Sequence, residues 1–421
     1  METITIGLLG LGTVGQGVVT LLQKQAAKIS RTQNFRFKLK RVAVRNLAHH
    51  QTAELPVGTI LTDKITDVTD DPEIQIVVEA MGGVDVAKVA ICQAILNKKS
   101  IISANKDLLA TAGEEILQLA KTVGVDFFYE ASVAGGIPIL RVLSSSLETD
   151  QITQITGIIN GTANYVLTAM EREQQAYATA LKNAQKLGYA ELNPTNDVQG
   201  IDATYKLIIL SRFAFGQSLA LTDIPHQGIT TISPAQLASA NRLGLKIKLL
   251  AVAKEVNQQL FSFVGPAAIP ATEPLAHVNG VQNAIAIQSN ALGETTYTGP
   301  GAGAHPNANS ILSDLLVTGN NIVKGICGHE FNRYRKPAAA QSLTTVPQQY
   351  LITIEDAKIE PSMLANLRQF TWQQQVTGEY YWSGLTPVIS ATTLTTLLDS
   401  LKHQGQQPHY VPLSNSWQMA S

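Results

Sequence analysis

The fold of this chain is decided by residues 4–24, which read ITIGLLGLGTVGQGVVTLLQK. Residues 4–9 form an apolar run that predicts a buried strand, and residues 18–24 have the pattern of a helix. A G-x-G-x-x-G motif lies between them and consists of Gly10, Gly12, Thr13, Val14 and Gly15 with the intervening leucine. Its three glycines permit a tight turn, close approach of a pyrophosphate and close helix–strand packing. This context predicts a dinucleotide-binding turn, with a ligand-free glycine-rich turn as the alternative.

A second predicted strand covers residues 37–44 and ends in Arg45. Proteins that bind NAD often carry Asp or Glu at this place for the ribose 2′-hydroxyl, whereas an Arg suits the 2′-phosphate of NADP. Arg45 therefore favours NADP, with NAD as the other cofactor to consider. The alternative is that the Arg45 side chain only extends into solvent from the strand end.

Strands and helices continue to alternate after Arg45. The predicted strands cover residues 74–79, 100–103 and 126–129, and the predicted helices cover residues 86–97 and 113–123. This alternation predicts an α/β fold with a doubly wound parallel sheet of the Rossmann type, which binds ligands at the carboxyl ends of its strands. Two loops at those ends contain Gly82 and Lys106, so both residues are candidates for contact with cofactor or substrate. A solvated loop lysine is the alternative for Lys106.

A second informative stretch covers residues 186–216, where a turn-rich loop containing Glu191 leads into a predicted helix that begins near Asn196 or Asp197. That helix carries Asp202 and Lys206, whose spacing of four residues places them on one helix face. A lysine held against an aspartate beside a core suits a proton donor. A surface ion pair is the alternative that fits the spacing alone.

Composition excludes several classes of protein. The 421 residues suggest two to three domains, and 45% hydrophobic residues suffice for large cores. A net charge of −1 argues against a nucleic-acid or membrane partner. Two cysteines are too few for a disulfide framework, there is no signal-peptide pattern, and no apolar run is long enough to span a membrane. We therefore expect a soluble, cytoplasmic protein.

Six stretches together resemble the homoserine dehydrogenases. They occur in the order that this family shows, and they cover residues 10–17, 103–107, 130–138, 160–165, 188–210 and 299–303. The resemblance implies reversible NADP-dependent reduction of L-aspartate 4-semialdehyde to L-homoserine, in the biosynthesis of threonine, methionine and isoleucine.

The resemblance also implies roles for single residues. Asp202 and Lys206 match the catalytic pair, with Lys206 as the proton donor or acceptor and Lys106 as the second lysine of the site. Glu191 matches the residue that holds the substrate's amino group, which Asp202 and Lys106 could also contact. The implied cofactor-binding residues are Gly10, Gly12, Thr13, Val14, Gly15, Arg45, Gly82, Ser103, Lys106 and Gly303. Two departures from the family are Asn193, in place of an Asp, and the turn at residues 304–307, where the family tends to have a Thr.

Glu130 ends a predicted strand and is followed by a loop of small residues. One carboxylate with backbone carbonyls from a tight loop would make a weak site for a hard cation. Capping of the following helix by Glu130 is the alternative. The resemblance implies a sodium ion bound by Glu130 and by the carbonyls of Val133, Gly135 and Ile137.

The last part of the chain predicts a small ferredoxin-like domain. Its predicted elements are strands at residues 350–355, 378–382, 387–390 and 409–413 and helices at residues 362–370 and 392–403, in the order βαββαβ. Many homoserine dehydrogenases end in an ACT domain with this topology. The Asp-x-Pro-Gly turn of such domains is replaced by Glu360-Pro361-Ser362, which argues against effector binding and favours a role in subunit contact.

The expected organisation has three domains. An NADP-binding domain covers residues 1–135 and is completed by a returning segment at about residues 304–340. An α+β catalytic and dimerisation domain covers residues 136–303, and the ACT-like domain covers residues 345–421. By resemblance, we expect a homodimer through the middle domain, or a homotetramer.

Two other classes of protein fit the sequence less well. A semialdehyde dehydrogenase needs an exposed nucleophilic cysteine, but Cys92 lies within an apolar helical pattern and Cys327 lies beyond the site. A nucleotide sensor without chemistry would not need the full set of Glu191, Asp202, Lys206 and Lys106.

Overall fold

A computed structural model describes residues 1–50, 52–332, 336–337, 339–356, 359 and 361–416. The chain divides into two compact units. The first unit comprises Met1–Thr149, Ile208–Leu221 and Gly299–Lys336, and the second comprises Asp150–Leu207, Thr222–Thr298 and Pro337–Ser421. The domain boundaries that the sequence suggested stay predictions.

The strands are β1 (Glu2–Leu9), β2 (Phe35–Ala43), β3 (Ile60–Thr62), β4 (Ile76–Glu79), β5 (Ser100–Ser103), β6 (Phe127–Phe128), β7 (Ile152–Ile158), β8 (Gln217–Ser218), β9 (Leu245–Val256), β10 (Gln259–Pro270), β11 (Gln282–Ser289), β12 (Gly293–Pro300), β13 (Lys336–Pro337), β14 (Gln341–Ser342), β15 (Tyr350–Glu355), β16 (Gln374–Thr377), β17 (Tyr381–Leu385) and β18 (Pro408–Pro412). The helices are α1 (Thr13–Thr32), α2 (Thr66–Thr69), α3 (Asp85–Leu96), α4 (Lys106–Val123), α5 (Ile139–Arg141), α6 (Gly161–Glu173), α7 (Tyr177–Lys186), α8 (Thr195–Val198), α9 (Ile201–Phe215), α10 (Pro234–Arg242), α11 (Ala304–Lys324), α12 (Pro361–Leu367) and α13 (Ala391–His403).

The first unit contains the predicted doubly wound sheet. Its strands run in the order β3-β2-β1-β4-β5-β6, and the described pairs are parallel. From β1 the chain moves outward to β2 and β3, and it then crosses to the other side of β1 to continue with β4, so the switch point lies between β1 and β4. Ligands of such sheets bind outside the carboxyl ends of the strands at this point. The predicted fold class is confirmed.

Helix α11 completes the core of the first unit, although it lies far from β1 in sequence. Its buried residues Ala308, Ile311 and Leu315 belong to one apolar cluster with Ile4 of β1 and Val18 of α1. The helix is 21 residues long and ends at Lys324, followed by the C-cap Gly325 in the left-handed conformation. Residues distant in sequence therefore share one core.

The second unit is built on a mixed sheet in the order β12-β11-β7-β9-β10-β14. Strands β9 and β10 form a long antiparallel hairpin, and β7 pairs antiparallel with β9 and β11. Buried residues of these strands form an apolar cluster that includes Ile158, Leu250 and Val252. Helix α6 follows β7 directly and packs against β9 and β11. The second group of candidate residues, Asp202 and Lys206, lies beside the connection between β7 and α6.

The C-terminal residues have a ferredoxin-like plan with its own apolar core. Their strands run in the order β16-β17-β15-β18, and all three described pairings are antiparallel. The predicted strand positions 378–382 and 387–390 are wrong. Gly378 and Tyr381 close the turn between β16 and β17, and Ile389 makes only an isolated bridge to Gln348. Pro387 also lacks the N–H that a strand needs. Glu360, in the predicted replacement turn, lies outside the described residues.

Candidate active site

The glycine-rich turn joins β1 to α1 at the switch point of the sheet. Gly10 has φ +94°, and a Cβ there would lie 2.6 Å from the carbonyl oxygen of Ala80, so only glycine fits. Thr13 and Val14 begin α1, whose N-cap residue Gly12 offers no side-chain cap. The first N–H groups of α1 can therefore face an anion. Arg45 is exposed just beyond the carboxyl end of β2.

Glu79 organises the two loops beside this turn, and its role was not predicted from the sequence. It is the last residue of β4 and is fully buried. Its carboxylate accepts hydrogen bonds from the hydroxyl of Ser103 at 2.6 Å and from the N–H of Met81 at 2.9 Å. Burial raises the pKa of Glu79, while these hydrogen bonds and one from Gly82 oppose that rise. A charged residue that ends an apolar strand was the only signal in the sequence.

Asn105 links the same loops to α4. Its Oδ1 accepts the N–H of Leu108 at 3.2 Å and so caps α4, while its Nδ2 donates to the carbonyl of Gly83 at 2.6 Å. The same Nδ2 lies 3.5 Å from Oε1 of Glu79. Lys106 is the first residue of α4, and its Nζ lies 3.5 Å from Oδ1 of Asp107. The structure thus brings the loops of Gly82 and Ser103 together and places Lys106 at the start of the adjoining helix. Gly303, the remaining predicted cofactor residue, is the N-cap of α11.

Glu130 caps a helix, which was the alternative that its sequence pattern left open. Its two carboxylate oxygens accept the N–H groups of Leu140 and Arg141, each at 2.9 Å. Arg141 in turn forms an ion pair with the buried Asp314. Burial, and next the charge of Asp314, raise the pKa of Glu130 to about 8. Burial also raises the pKa of Asp314 to about 6, against the opposing charge of Arg141.

In the second unit, the helix expected to begin near Asn196 or Asp197 is interrupted. Residues Thr195–Val198 form the short α8, and α9 begins at Ile201. Gly200 separates the two helices with φ +82°, a left-handed conformation that favours glycine. The prediction of one continuous helix was wrong, because periodicity does not show where the backbone reverses its handedness.

Asp202 and Lys206 form a buried ion pair on α9. The Lys206 Nζ lies 2.8 Å from Oδ2 of Asp202, and it also donates to the carbonyl oxygen of Ile159 at 2.8 Å. The side chains of Lys206 and Asp202 are 11% and 7% exposed, respectively. This burial excludes the alternative of a solvated surface pair. A buried pair with an additional carbonyl acceptor holds the ammonium in one place.

Asn160 joins this pair to a second carboxylate. Its Nδ2 donates to Oδ2 of Asp202 at 2.8 Å and to Oδ1 of Asp197 at 2.7 Å. Its Oδ1 accepts the N–H of Ala163 at 2.8 Å, so Asn160 caps α6. Sequence reasoning assigned no role in the site to Asp197. The approach of Asp197 to Asp202 depends on the break at Gly200.

Glu191 lies apart from this buried cluster, in the loop of residues 187–194 between α7 and α8. It is exposed, and its backbone carbonyl accepts Nε2 of Gln185 at 3.0 Å. Thr162 donates to the carbonyl of Tyr189 in the same loop at 2.6 Å. Asn193, which replaces the usual Asp, accepts the hydroxyl of Thr195 at 2.6 Å and so supports the start of α8. The loop is therefore held through its backbone while the Glu191 side chain faces outward.

Comparison with known proteins identifies the family. A family model described as "Homoserine dehydrogenase, NAD binding domain" matches residues 10–130, and one described as "Homoserine dehydrogenase" matches residues 138–316. The homoserine dehydrogenase of Bacillus subtilis is 41% identical over 331 residues, which are 79% of this chain and 76% of that protein.

The chain belongs to the homoserine dehydrogenase family.

The homoserine dehydrogenase of Lactococcus lactis is 39% identical over 372 residues, covering 88% of this chain and 86% of the relative. The crystal structure of a homoserine dehydrogenase from Thiobacillus denitrificans superimposes with a TM-score of 0.89 at 34% identity, covering 98% of this chain and 99% of that one. The resemblance to homoserine dehydrogenases seen in the sequence is thereby confirmed. The protein is an oxidoreductase with an NAD(P)-binding domain and a small-molecule substrate.

Two further observations concern the described residues alone. None of their helices is both long and apolar enough to cross a membrane. Within the same ranges, His, Cys, Asp and Glu side chains form no group of three or more that could hold a metal ion.

Proposed function

We propose that this homoserine dehydrogenase reversibly reduces L-aspartate 4-semialdehyde to L-homoserine with NADP, and that Lys206 donates the proton. This reaction would serve the biosynthesis of threonine, methionine and isoleucine. The observation that carries the proposal is the buried Lys206 ammonium, anchored by Asp202 and by the carbonyl of Ile159. These two acceptors engage two of the three N–H bonds of the ammonium, so the third can point to a substrate oxygen.

The chemistry needs a positive group beside the aldehyde oxygen. When a hydride reaches the aldehyde carbon, negative charge develops on the oxygen, and a preorganised ammonium stabilises it and then transfers a proton to it. In the reverse direction, the same side chain as a neutral amine accepts the proton of the hydroxyl. The nicotinamide, when bound, supplies or accepts the hydride. Asp202 holds the Lys206 side chain in one orientation between turnovers.

Lys106 is the second candidate for proton transfer, and its surroundings favour a binding role. Its side chain is 32% exposed, compared with 11% for Lys206. It also begins α4, where the helix dipole is unfavourable for a cation, and Asp107 offsets part of that effect. We therefore assign Lys106 to contact with substrate or cofactor. Glu191 and Asp202 would hold the substrate's amino group.

Arg45 supports NADP as the preferred cofactor, with NAD as the second. Its position beyond β2 is where a 2′-phosphate or a 2′-hydroxyl of the ribose is recognised in doubly wound sheets. A guanidinium there can form a bidentate pair with a phosphate. The glycine-rich turn would hold the pyrophosphate, and the loops of Gly82 and Ser103 would contact the remainder of the cofactor.

We propose further that a sodium ion is held by Glu130 and by the carbonyls of Val133, Gly135 and Ile137. This donor set fits a hard cation because it consists of oxygens and includes a buried carboxylate. The Gly135 carbonyl already accepts the hydroxyl of Ser310 at 2.6 Å, but a carbonyl oxygen has a second lone pair. The ion would supply positive charge beside buried Glu130.

A homodimer, or a homotetramer, in the cytoplasm completes the proposal. Strand β12 at the edge of the second unit's sheet alternates half-buried and exposed residues, so one of its faces is open in the single chain. An open sheet face of this kind is available for a second subunit. The ferredoxin-like residues would serve subunit contact.

The test is a steady-state assay of reduced-nicotinamide absorbance with homoserine, using NADP and NAD, for the wild type and Lys206→Ala. We expect Lys206→Ala to lose at least about 100-fold in kcat, in line with removal of a general acid. We also expect the wild type to show a higher kcat/KM with NADP than with NAD.

Lys182→Ala is the matched control, because Lys182 is an exposed lysine on α7 of the same unit. It should retain wild-type rates. Nearly normal turnover by Lys206→Ala would transfer the proton-donor role to Lys106. A higher kcat/KM with NAD would refute the argument from Arg45.

A further inference from the structure

We propose that Asn160 is a positioning residue for proton transfer, which acts by fixing the Asp202–Lys206 pair. This inference rests on the proposed role of Lys206. Asn160 does not need to touch the substrate for this purpose. Its contacts with α6, α8 and α9 place one amide group at the meeting point of three helices.

The hydrogen bonds of Asn160 fix the orientation of its amide group. The two N–H bonds of Nδ2 are directed to Asp197 and Asp202, and Oδ1 accepts the N–H of Ala163. A rotation of the amide by 180° would turn Oδ1 toward two carboxylates and Nδ2 toward a backbone N–H. Both new contacts would be repulsive, so only the observed orientation satisfies the neighbours.

Asn160 and its neighbour Ile159 hold both halves of the ion pair. The carbonyl of Ile159 accepts a hydrogen bond from the Lys206 ammonium, and the amide of Asn160 donates one to the Asp202 carboxylate, each at 2.8 Å. Asn160 is only 4% exposed, so water does not compete well for these bonds. Oδ2 of Asp202 thus receives hydrogen bonds from Asn160 and Lys206 together. The position of Oδ2 of Asp202 sets the direction of the third N–H bond of the Lys206 ammonium.

Without the amide of Asn160, the two carboxylates would lose the two N–H donors that lie between them. Asp202 would then lose the hydrogen bond from Asn160 that orients its Oδ2, and the ammonium of Lys206 would shift with that oxygen. Misplacement of a reacting group by about 1 Å can reduce a rate by about 100-fold. The effect would appear in kcat rather than in cofactor binding, because these residues all lie in the second unit.

Two substitutions separate this role from helix capping. Asn160→Ser retains a hydroxyl that can cap α6 but has no amide donors, whereas Asn160→Ala loses the cap and the donors together. We expect both variants to lose between about 10-fold and 100-fold in kcat, with the KM for NADP changed by less than about twofold. The melting temperature should fall by about 2–4 °C only in Asn160→Ala, because only this variant loses the cap.

A third measurement tests whether Asn160 acts through Lys206. Asn160→Ser combined with Lys206→Ala should be no slower than Lys206→Ala alone, because residues that act as a unit are not additive. A wild-type kcat for Asn160→Ser with a slow Asn160→Ala would leave capping as the only role and overturn the inference. A further loss in the double variant would overturn it as well. If Lys206→Ala turns over at a nearly normal rate, the proposed role of Lys206 fails, which is a separate result.

Discussion

Asn105 in the first unit and Asn160 in the second use the same local device with different partners. Each caps a helix with Oδ1, α4 for Asn105 and α6 for Asn160, and each uses Nδ2 for contacts outside that helix. The Nδ2 of Asn105 holds the carbonyl of Gly83 and lies near Glu79, while that of Asn160 holds Asp197 and Asp202.

The two asparagines differ in the charged groups that their hydrogen-bond networks contain. The described donors to Glu79 are hydroxyl, amide and backbone N–H groups, so this network fixes the shape of two loops at the sheet edge. The network at Asn160 includes the ammonium of Lys206, so it fixes the position of a proton. We therefore expect changes near Asn105 to alter cofactor binding and changes near Asn160 to alter turnover.

The largest expected effect belongs to Asp202→Asn. The substitution keeps the size of the side chain but removes the charge, and it can turn an N–H group toward the Lys206 ammonium or the Asn160 amide. We expect kcat to fall at least about 100-fold, consistent with loss of the group that orients a general acid. Binding of reduced nicotinamide, measured by its fluorescence, should change less than twofold. A kcat within threefold of the wild type would contradict the distinction between the networks of Asn105 and Asn160, since the charged network would then not control turnover.

We expect Asn105→Ser to have an effect of intermediate size, which appears in KM rather than in kcat. Serine can still cap α4, but the donors to Gly83 and Glu79 are lost and the two loops are released. We expect the KM for NADP to rise about 10-fold while kcat changes less than threefold, as for loss of interactions made equally in ground and transition states. The matched control is Asn160→Ser, in which kcat should fall and the KM for NADP should stay nearly unchanged. Equal changes in both variants would show that the two units do not divide binding and turnover in this way.

The smallest effect is a change in the pH dependence of stability in Glu79→Gln. Burial raises the pKa of Glu79 above its ordinary value of 4.5, so the folded protein binds this proton more tightly than the unfolded chain does. This contribution to the free energy of unfolding is complete below pH 4.5 and is lost as the pH rises through the folded pKa. The free energy of unfolding of the wild type minus that of Glu79→Gln should therefore fall with rising pH in this window. Urea unfolding at a series of pH values measures this difference in the free energy of unfolding. A difference that rises with pH would contradict a raised pKa of Glu79.

The sequence was sufficient where neighbours along the chain determine the structure. The glycine-rich turn, strand β5 at residues 100–103 and the pairing of Asp202 with Lys206 all follow from short-range spacing. The family resemblance added the reaction, because the chemistry of a lysine cannot be read from spacing alone.

The networks around Glu79 and Asn160 could not be predicted, because their partners are distant in sequence. Ser103 lies 24 residues from Glu79, and Asp202 lies 42 residues from Asn160. Hydrophobic periodicity reports which face of an element is buried, but it does not report which polar groups meet there. The break at Gly200 was missed because hydrophobic periodicity does not show where the backbone becomes left-handed.

The placement of α11 has a consequence for how the protein is made. Ala308, Ile311 and Leu315 complete the apolar cluster around β1 and α1, yet the ribosome adds them long after those elements. Until then the nascent chain exposes Ile4 and Val18 on an unfinished surface, while much of the second unit is being synthesised. Contacts of such long range slow folding and leave apolar surface open to aggregation. A fragment that ends at residue 303 would keep that surface permanently, so the nucleotide-binding region cannot be separated from the chain by a simple truncation.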